Sequence, residues 1–433
     1  MEEILIGIVG AGTVGGGVVK ILSRRIEKLR KERGLPIRIA RIADKDPKRR
    51  EQFAASGALC TADADDILND PAIQIVVELV GGTTFARKLV LAALSRKKHV
   101  ITANKALLAE YGPEIFEAAA QEHVSVYFEA AVGGGMPIIK ALREGLVANS
   151  ILSIKTIING TCNYILTRMS REGLTFAAAL DEAQKKGYAE ADPALDVGGG
   201  DSGHKVAILA SLAGGGYVPF KSISIEGITG IGKEDIAFAA ELGYTIKLLG
   251  IIKKSGADDL LDVRVHPAML PVRHILASVS DVYNAVLLEG DAVGQILLYG
   301  KGAGEMPTAS AVVSDIIDVA HNISCKAGVR IPMGYYSSSQ ELPVKPIEAI
   351  EGRYYLRFTV QDKPGVLASI AGLLGDEGIS LASVMQKEGF SEKSVPVIIL
   401  THTAIEKNLR AALKRIEAMD YIKDRTQVIR IEE

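Results

Sequence analysis

The run "ILIGIVGAGTVGGGVVKIL", Ile4 to Leu22, changes its hydrophobic period halfway along. Ile4 to Val9 is continuously apolar, as in a strand buried on both faces, and beyond the glycines the apolar residues recur at helical spacing. Between the two, Gly10-Ala11-Gly12-Thr13-Val14-Gly15 fits GxGxxG in the strand, turn, helix context that the motif requires. The first glycine makes the turn, the second lets backbone approach a pyrophosphate, and the third permits close packing of helix on strand. The helix N-terminus adds a positive partial charge. Gly10, Gly12, Thr13, Val14 and Gly15 are therefore expected to bind a dinucleotide; the plain alternative is a tight turn with no ligand.

Outward from this turn, apolar runs at 37–44, 72–82, 97–105 and 124–137 alternate with helical stretches, which predicts a doubly wound parallel sheet of Rossmann type. Asp44 ends the second run, where a carboxylate binds a ribose 2′-hydroxyl and favours NAD, while Lys45, Lys48, Arg49 and Arg50 suit the 2′-phosphate of NADP. Asp44 lies farther from the glycines than is usual, consistent with a long first helix, and the choice between NAD and NADP stays open. Asn104 and Lys105 close another strand at its carboxyl end, where such sheets bind ligands.

From 131 to 300 the pattern loosens into a mixed α+β domain for substrate and dimerisation, and the helix at 308–320 is expected to return to the first domain, completing it over about 301–330. A linker is expected over 331–352. Residues 353–433 then read β, α, β, β, α, β, a ferredoxin-like domain.

Composition narrows the class. A chain of 433 residues exceeds one hydrophobic core, and its formal net charge of −2 gives no electrostatic case for nucleic acid or an anionic membrane. Cys60, Cys162 and Cys325 form no CxxC pair and no even set, which argues against a zinc site or a disulfide framework. The first charges are glutamates rather than the basic cluster of a secretion signal, and no run approaches the ~18 apolar residues of a membrane span. A cytoplasmic protein is expected.

"ADPALDVGGGDSGHKVAILASL", 191–212, carries the chemistry. Its helix is apolar nearly all round and should be buried, yet Asp201 and Lys205 stand at its mouth, four apart on one face. An exposed ion pair is the plain reading. A buried lysine in the first helical turn, directed by an aspartate, instead suits a proton donor. His204 lies on another face and reads as a packing residue. Glu190, Asp192 and Asp196 could hold a cationic substrate group, although Asp192 before Pro193 also fits a turn. The Gly133–Gly135 cluster reads first as a place where another segment comes close, and second as carbonyls offered to a cation.

Together these stretches resemble homoserine dehydrogenase carrying a C-terminal ACT domain: GAGTVG, ITANKALLA (101–109), FEAAVGGGMPI (128–138), NGTCNYIL (159–166), GYAEADPALDVGGGDSGHKVAIL (187–209) and YGKGAGEMPTASAVVSD (299–315). Only Gly200, Ser202 and Gly203 depart, being smaller than the family's usual residues. The resemblance implies reduction of L-aspartate 4-semialdehyde to L-homoserine with NADP or NAD as cofactor, on the route to threonine, isoleucine and methionine. It gives Lys205 the proton, Asp201 its orientation, Glu190 the substrate's amino group with Gly187 in the same wall, Lys105 the junction of cofactor and substrate, and Gly302 a late cofactor contact. It implies a monovalent, Na⁺-like cation on the carbonyls of Glu129, Val132, Gly134 and Met136. "DKPGVLASIAGLLGDEGISL" (362–381) resembles ACT modules, which implies an amino-acid effector, threonine, at Asp362, Gly365, Val366 and Gly378, and a homodimer or homotetramer. The alternative is an inactive amino-acid sensor.

Overall fold

The computed structural model describes residues 3–254, 260–329, 337–386 and 394–433; positions 331–336 of the expected linker lie outside the described residues. The chain forms two compact units, 1–160 with 202–223 and 283–343, and 161–201 with 224–282 and 344–433.

The first unit is built on a parallel sheet of β1 (Ile4–Val9), β2 (Ile37–Ala43), β3 (Leu59–Thr61), β4 (Ile73–Glu78), β5 (His99–Thr102) and β6 (Val126–Tyr127), in the order β3-β2-β1-β4-β5-β6. Helices α1 (Thr13–Arg33), α2 (Pro47–Ala54), α3 (Asp65–Leu68), α4 (Thr84–Ser95) and α5 (Lys105–Gln121) connect the strands. The order reverses between β1 and β4, which opens a crevice at the carboxyl ends of those strands, where doubly wound sheets take ligands. At 21 residues α1 is long, and it stops at Gly34, whose left-handed backbone (φ 64°) returns its N–H to the Leu29 carbonyl. Ile4, Ile6 and Ile8 pack with Val18 and Leu22 of α1 and with Val312 and Ile316 of α12 (Glu305–Ser324). After β6 come a 3₁₀ turn, Glu129–Ala131, and the short α6 (Ile138–Lys140). A second sheet in this unit joins β7 (Ile151–Ile157), β12 (Tyr283–Gly290) and β13 (Gly294–Lys301), all antiparallel. The short β8 (Gly216–Tyr217) pairs with β14 (Ser337–Glu341), so ordered structure occupies part of the expected linker.

The second unit holds α7 (Gly160–Glu172), α8 (Phe176–Lys185), α9 (Ala194–Val197), β9 (Ser224–Ile225) and α11 (Lys233–Glu241), with β10 (Tyr244–Lys254) antiparallel to β11 (Leu261–Pro271) along their full length. The C-terminal domain follows as β15 (Glu351–Val360), α13 (Val366–Asp376), β16 (Leu381–Gln386), β17 (Val395–Thr401), β18 (Ala404–Ile405), α14 (Glu406–Glu417) and β19 (Gln427–Ile431), around a core of Tyr354, Leu356, Phe358, Ile370, Leu374, Leu409 and Ile416. It is sewn to β11: β19 lies parallel to that strand, with Ala268 opposite Arg430, and the Glu432 amide donates to the Met269 carbonyl at 3.0 Å. Buried charges reinforce the seam. Arg264 of β11 meets Glu432 at 2.8 Å, and Asp235 of α11, wholly buried, accepts from Arg357 at 2.6 and 3.0 Å and from the Tyr355 hydroxyl at 3.1 Å. Helix α10 (Gly200–Gly214) starts at the end of one segment of this unit and continues in the other unit. No helix among the described residues is long and apolar enough to cross a membrane.

Candidate functional site

The glycine turn after β1 is shaped by contact. Gly10 is left-handed (φ 97°), and a Cβ there would lie 2.7 Å from the Leu79 carbonyl; a Cβ on Gly15 would lie 2.1 Å from the Gly10 carbonyl oxygen. Neither position admits a side chain. Gly12, the N-cap of α1, has no side-chain cap, and the first turn of Thr13 and Val14 carries no acid, so the positive end of the helix has no compensating carboxylate of its own. Asp44 reaches back to this turn despite the long sequence separation, because α1 runs out and β2 returns. Its Oδ2 accepts from the Ala11 amide at 2.7 Å and its Oδ1 from the Asp46 amide at 2.9 Å. Burial works to raise its pKa, but those amides and the Arg49 guanidinium, 3.4 Å away, outweigh it and hold the carboxyl below its ordinary value. Arg50 donates to the carbonyls of Asp44 and Lys45, which turns one of the four flanking cations toward backbone.

Across the crevice Glu78, fully buried at the end of β4, accepts from the Val80 and Gly81 amides through Oε1 and from the Thr102 hydroxyl through Oε2 at 2.6 Å. Asn104 caps α5 by accepting from the Leu107 amide, and its own amide donates to the Gly82 carbonyl at 2.6 Å. These bonds lash the ends of β4 and β5 together and place Lys105 as the first residue of α5. Sequence reasoning missed Glu78; a carboxylate closing an otherwise apolar strand was the available signal.

Helix α10 is buried as its composition requires, with Asp201 5% and Lys205 9% exposed. The ammonium of Lys205 donates to the Ile158 carbonyl at 2.9 Å, just past β7. The helix begins at Gly200, so Lys205 is in its second turn, and the dipole at its mouth acts on it less than a first-turn position would imply. The His204 ring packs tilted against Phe220, with centroids 4.3 Å apart, and its Nε2 lies 3.8 Å from a Glu110 carboxylate oxygen.

In the second unit, the Thr161 hydroxyl at the start of α7 donates to the Tyr188 carbonyl at 2.7 Å and lies 3.3 Å from Asp196 Oδ2, while the Cys162 thiol donates to the Asp196 carbonyl. NGTCNYIL thereby fastens both ends of the 188–196 loop. Gly187 is left-handed (φ 73°) after α8; Glu190 is exposed, with its carbonyl held by Gln184 at 3.1 Å. Asp192 accepts from the Ala194 amide, the turn role open to it. Backbone requires two of the three glycines before Asp201: a Cβ on Gly198 would lie 2.6 Å from the Ala194 carbonyl oxygen, and Gly199 is left-handed at φ 85° with its Cβ position 3.0 Å from Ile225, whereas a Cβ on Gly200 would crowd only the exposed Leu195 side chain.

Family models of homoserine dehydrogenase match residues 137–317, its NAD binding domain residues 10–129, and the ACT domain residues 354–420. The homoserine dehydrogenase of Neisseria gonorrhoeae is 44% identical over 100% of this chain and 99% of its own length, and that of Pseudomonas aeruginosa is 44% identical over 100% of both. The chain belongs to the homoserine dehydrogenase family. It is an oxidoreductase with an NAD(P)-binding domain and a C-terminal ACT domain. Among solved structures, the homoserine dehydrogenase of Thiobacillus denitrificans is similar with a TM-score of 0.93 and 45% identity, covering 100% of this chain and 99% of that one. A hyperthermophilic archaeal homoserine dehydrogenase solved in complex with NADPH has a TM-score of 0.63 and 26% identity, covering 74% of this chain and 98% of that one.

In this homoserine dehydrogenase chain the 129–136 segment meets the 301–307 segment. A Cβ on Gly134 would lie 2.5 Å from the Gly302 carbonyl oxygen, and the Gly135 amide donates to the Lys301 carbonyl at 3.2 Å, so close approach accounts for the cluster. Gly302 is itself crowded by Asn284, 1.9 Å from where its Cβ would be. Glu129 is buried, and its carboxylate accepts from the Ile139 and Lys140 amides, both at 2.9 Å; burial pushes its pKa up even so. The Met136 carbonyl accepts from the Ile138 amide at 2.8 Å.

In the ACT domain a cavity of 350 Å³ is lined by Asp362, Gly365, Val366 and Gln386 among others. Gly365 caps α13 in a left-handed conformation (φ 89°) with no side-chain cap. Gly378 turns the chain after α13 and is outside that lining.

Proposed function

We propose that the enzyme reduces L-aspartate 4-semialdehyde to L-homoserine with NADPH or NADH, with Lys205 as the acid. The observation that carries this reading is a buried ammonium in a helix whose mouth holds Asp201, within a chain matched along its length by homoserine dehydrogenases. A bound dihydronicotinamide supplies the hydride for the aldehyde carbon. As negative charge grows on the carbonyl oxygen, Lys205 Nζ stabilises it and donates the proton, since a preorganised cation out of water acts more strongly there than a solvated one. Asp201, one turn earlier on the same helix face, orients the ammonium and the substrate. Glu190, with Gly187 and Asp196 in the same loop region, binds the substrate's amino group, and Lys105 stands where cofactor and substrate meet.

Gly10, Gly12, Thr13, Val14 and Gly15 take the pyrophosphate, Asp44 the adenosine ribose and Gly302 a further cofactor contact. Arg49, beside Asp44 and 3.5 Å from the Cβ position of Gly12, supports acceptance of a 2′-phosphate, and NADPH is the cofactor in the archaeal relative's complex. A Na⁺-like ion on the carbonyls of Glu129, Val132, Gly134 and Met136 would stiffen the 129–136 segment beside Gly302. Threonine is the proposed effector, at Asp362, Gly365 and Val366 with Gly378 nearby in sequence, and the working form is a homodimer or homotetramer in the cytoplasm. Oxidation of NADPH and of NADH with aspartate semialdehyde, followed at the nicotinamide absorbance, tests the reading: turnover with at least one is expected, and none with either refutes it.

A further inference from the structure

A continuous set of contacts runs through the second unit from the last strand of the ACT domain to the turn that starts α10. Arg430 of β19, buried, donates through its two terminal nitrogens to the two carboxylate oxygens of Glu226, each at 2.9 Å. Glu406 braces the same guanidinium, accepting from Nε at 3.0 Å and from a terminal nitrogen at 2.7 Å, and the Tyr354 hydroxyl donates to Glu406. A planar fork held on two sides has little freedom to swing.

Glu226 follows β9, and its amide donates to the Val265 carbonyl of β11 at 2.8 Å. Its neighbour is glycine for a reason: a Cβ on Gly227 would lie 2.1 Å from the Val197 carbonyl oxygen and 2.6 Å from Gly198 Cα. The two backbones therefore touch with no side chain between them. Ile228 adds an amide hydrogen bond to the same Val197 carbonyl at 2.8 Å, and the Cβ position of Gly199 lies 3.3 Å from the Glu226 carbonyl oxygen. Two residues beyond Gly199 is Asp201.

We propose that Glu226 is a positioning residue for the reaction: held by Arg430 of the ACT domain, it fixes the 226–228 segment against the Val197–Gly199 turn and so sets where Asp201 stands. Arg430 pins the far end of the Glu226 side chain, and from the Glu226 backbone onward the path to the turn is backbone contact and one hydrogen bond, with no further side chain between. This role rests on the place of Asp201 in the substrate site proposed above. It also makes the end of the ACT domain part of the catalytic apparatus at rest, apart from any effector.

Glu226→Ala in the full-length enzyme is the direct test. The Glu226 side chain is 42% exposed and Arg430 keeps Glu406, so no buried charge loses its last partner. The expected result is a fall in kcat/KM for aspartate semialdehyde of about tenfold or more, because small misplacements of an orienting group are costly in rate. The dissociation constant of the dinucleotide, titrated by its fluorescence, should stay within about twofold, and adding Glu226→Ala to Arg430→Met should lower kcat/KM by less than about twofold further. If the alanine variant does not fold, Glu226→Gln is read in the same way. A folded variant with kcat/KM within about twofold of the parent overturns the proposal, as does dinucleotide affinity weakened in step with kcat/KM. Asp201→Asn, measured alongside, separates the two claims: parental activity in that variant refutes the role of Asp201 itself, whereas loss there with parental activity in Glu226→Ala refutes only the positioning role.

Discussion

The seam between β11 and β19 should be measurable as a pH-dependent stability held by one carboxylate. Glu432 receives Arg264 at 2.8 Å and Lys253 at 2.8 Å and is 6% exposed. Burial pushes its pKa up, but the Arg264 and Lys253 charges outweigh that and bring it from 4.5 down to about 2. The depressed value means that the folded state favours the ionised form. The stabilisation is complete above the unfolded value near 4.5 and is lost progressively as pH falls toward 2. Multiplying the shift by ~1.4 kcal/mol per unit gives about 3 kcal/mol at neutral pH, falling to roughly half of that by pH 3. Glu432→Gln keeps the shape and removes the charge, so it should destabilise the protein by up to about 3 kcal/mol at pH 7, with the gap from the parent closing toward pH 2. Denaturant titrations followed by far-UV circular dichroism and tyrosine emission, which no tryptophan obscures, would read this gap at several pH values. A gap under ~1 kcal/mol at pH 7, or one equally large at pH 7 and pH 3, would refute the reasoning.

Two further outcomes follow from the geometry. Gly15→Ala sets a methyl 2.1 Å from the Gly10 carbonyl oxygen and should weaken dinucleotide binding by about 100-fold or more in a fluorescence titration; unchanged affinity would remove this turn from the cofactor site. Asp362→Ala should abolish the inhibition proposed for threonine in steady-state assays while leaving uninhibited turnover unchanged, and inhibition that survives places the effector away from the 350 Å³ cavity.

The sequence made the nucleotide half legible because its signals are local. A glycine triplet at fixed spacing, apolar runs and helix stops each act within a few residues, and the long α1 accounts for the unusual spacing of Asp44. The short strand β3, Leu59–Thr61, escaped because its residues are only partly buried and show no apolar run. Strand β6 is shorter than its apolar stretch because Glu129 turns the chain into a 3₁₀ helix. The Asp201 and Lys205 oddity was visible as charges at the mouth of an apolar helix, but the exact helical turn depended on where Gly200 begins it, a boundary set by the crowding of Gly198 and Gly199 against their neighbours.

The seam to the ACT domain was not legible at all. Pairing of β11 with β19 joins positions far apart in sequence, and no local pattern links Arg264 to Glu432. This seam changes how regulation should be probed. Deleting the chain after Gly352 would strip β19 from β11, take Glu432 from Arg264, which would keep only Asp262, and take Arg357 from the wholly buried Asp235, so point variants in the full-length enzyme are the informative ones.

The most direct test of the catalytic account is Lys205→Ala, assayed for kcat with saturating cofactor and aspartate semialdehyde while dinucleotide binding is titrated separately. A fall in kcat of at least ~10²-fold with the cofactor still bound is the predicted result, and near-parental kcat would remove Lys205 from the acid role.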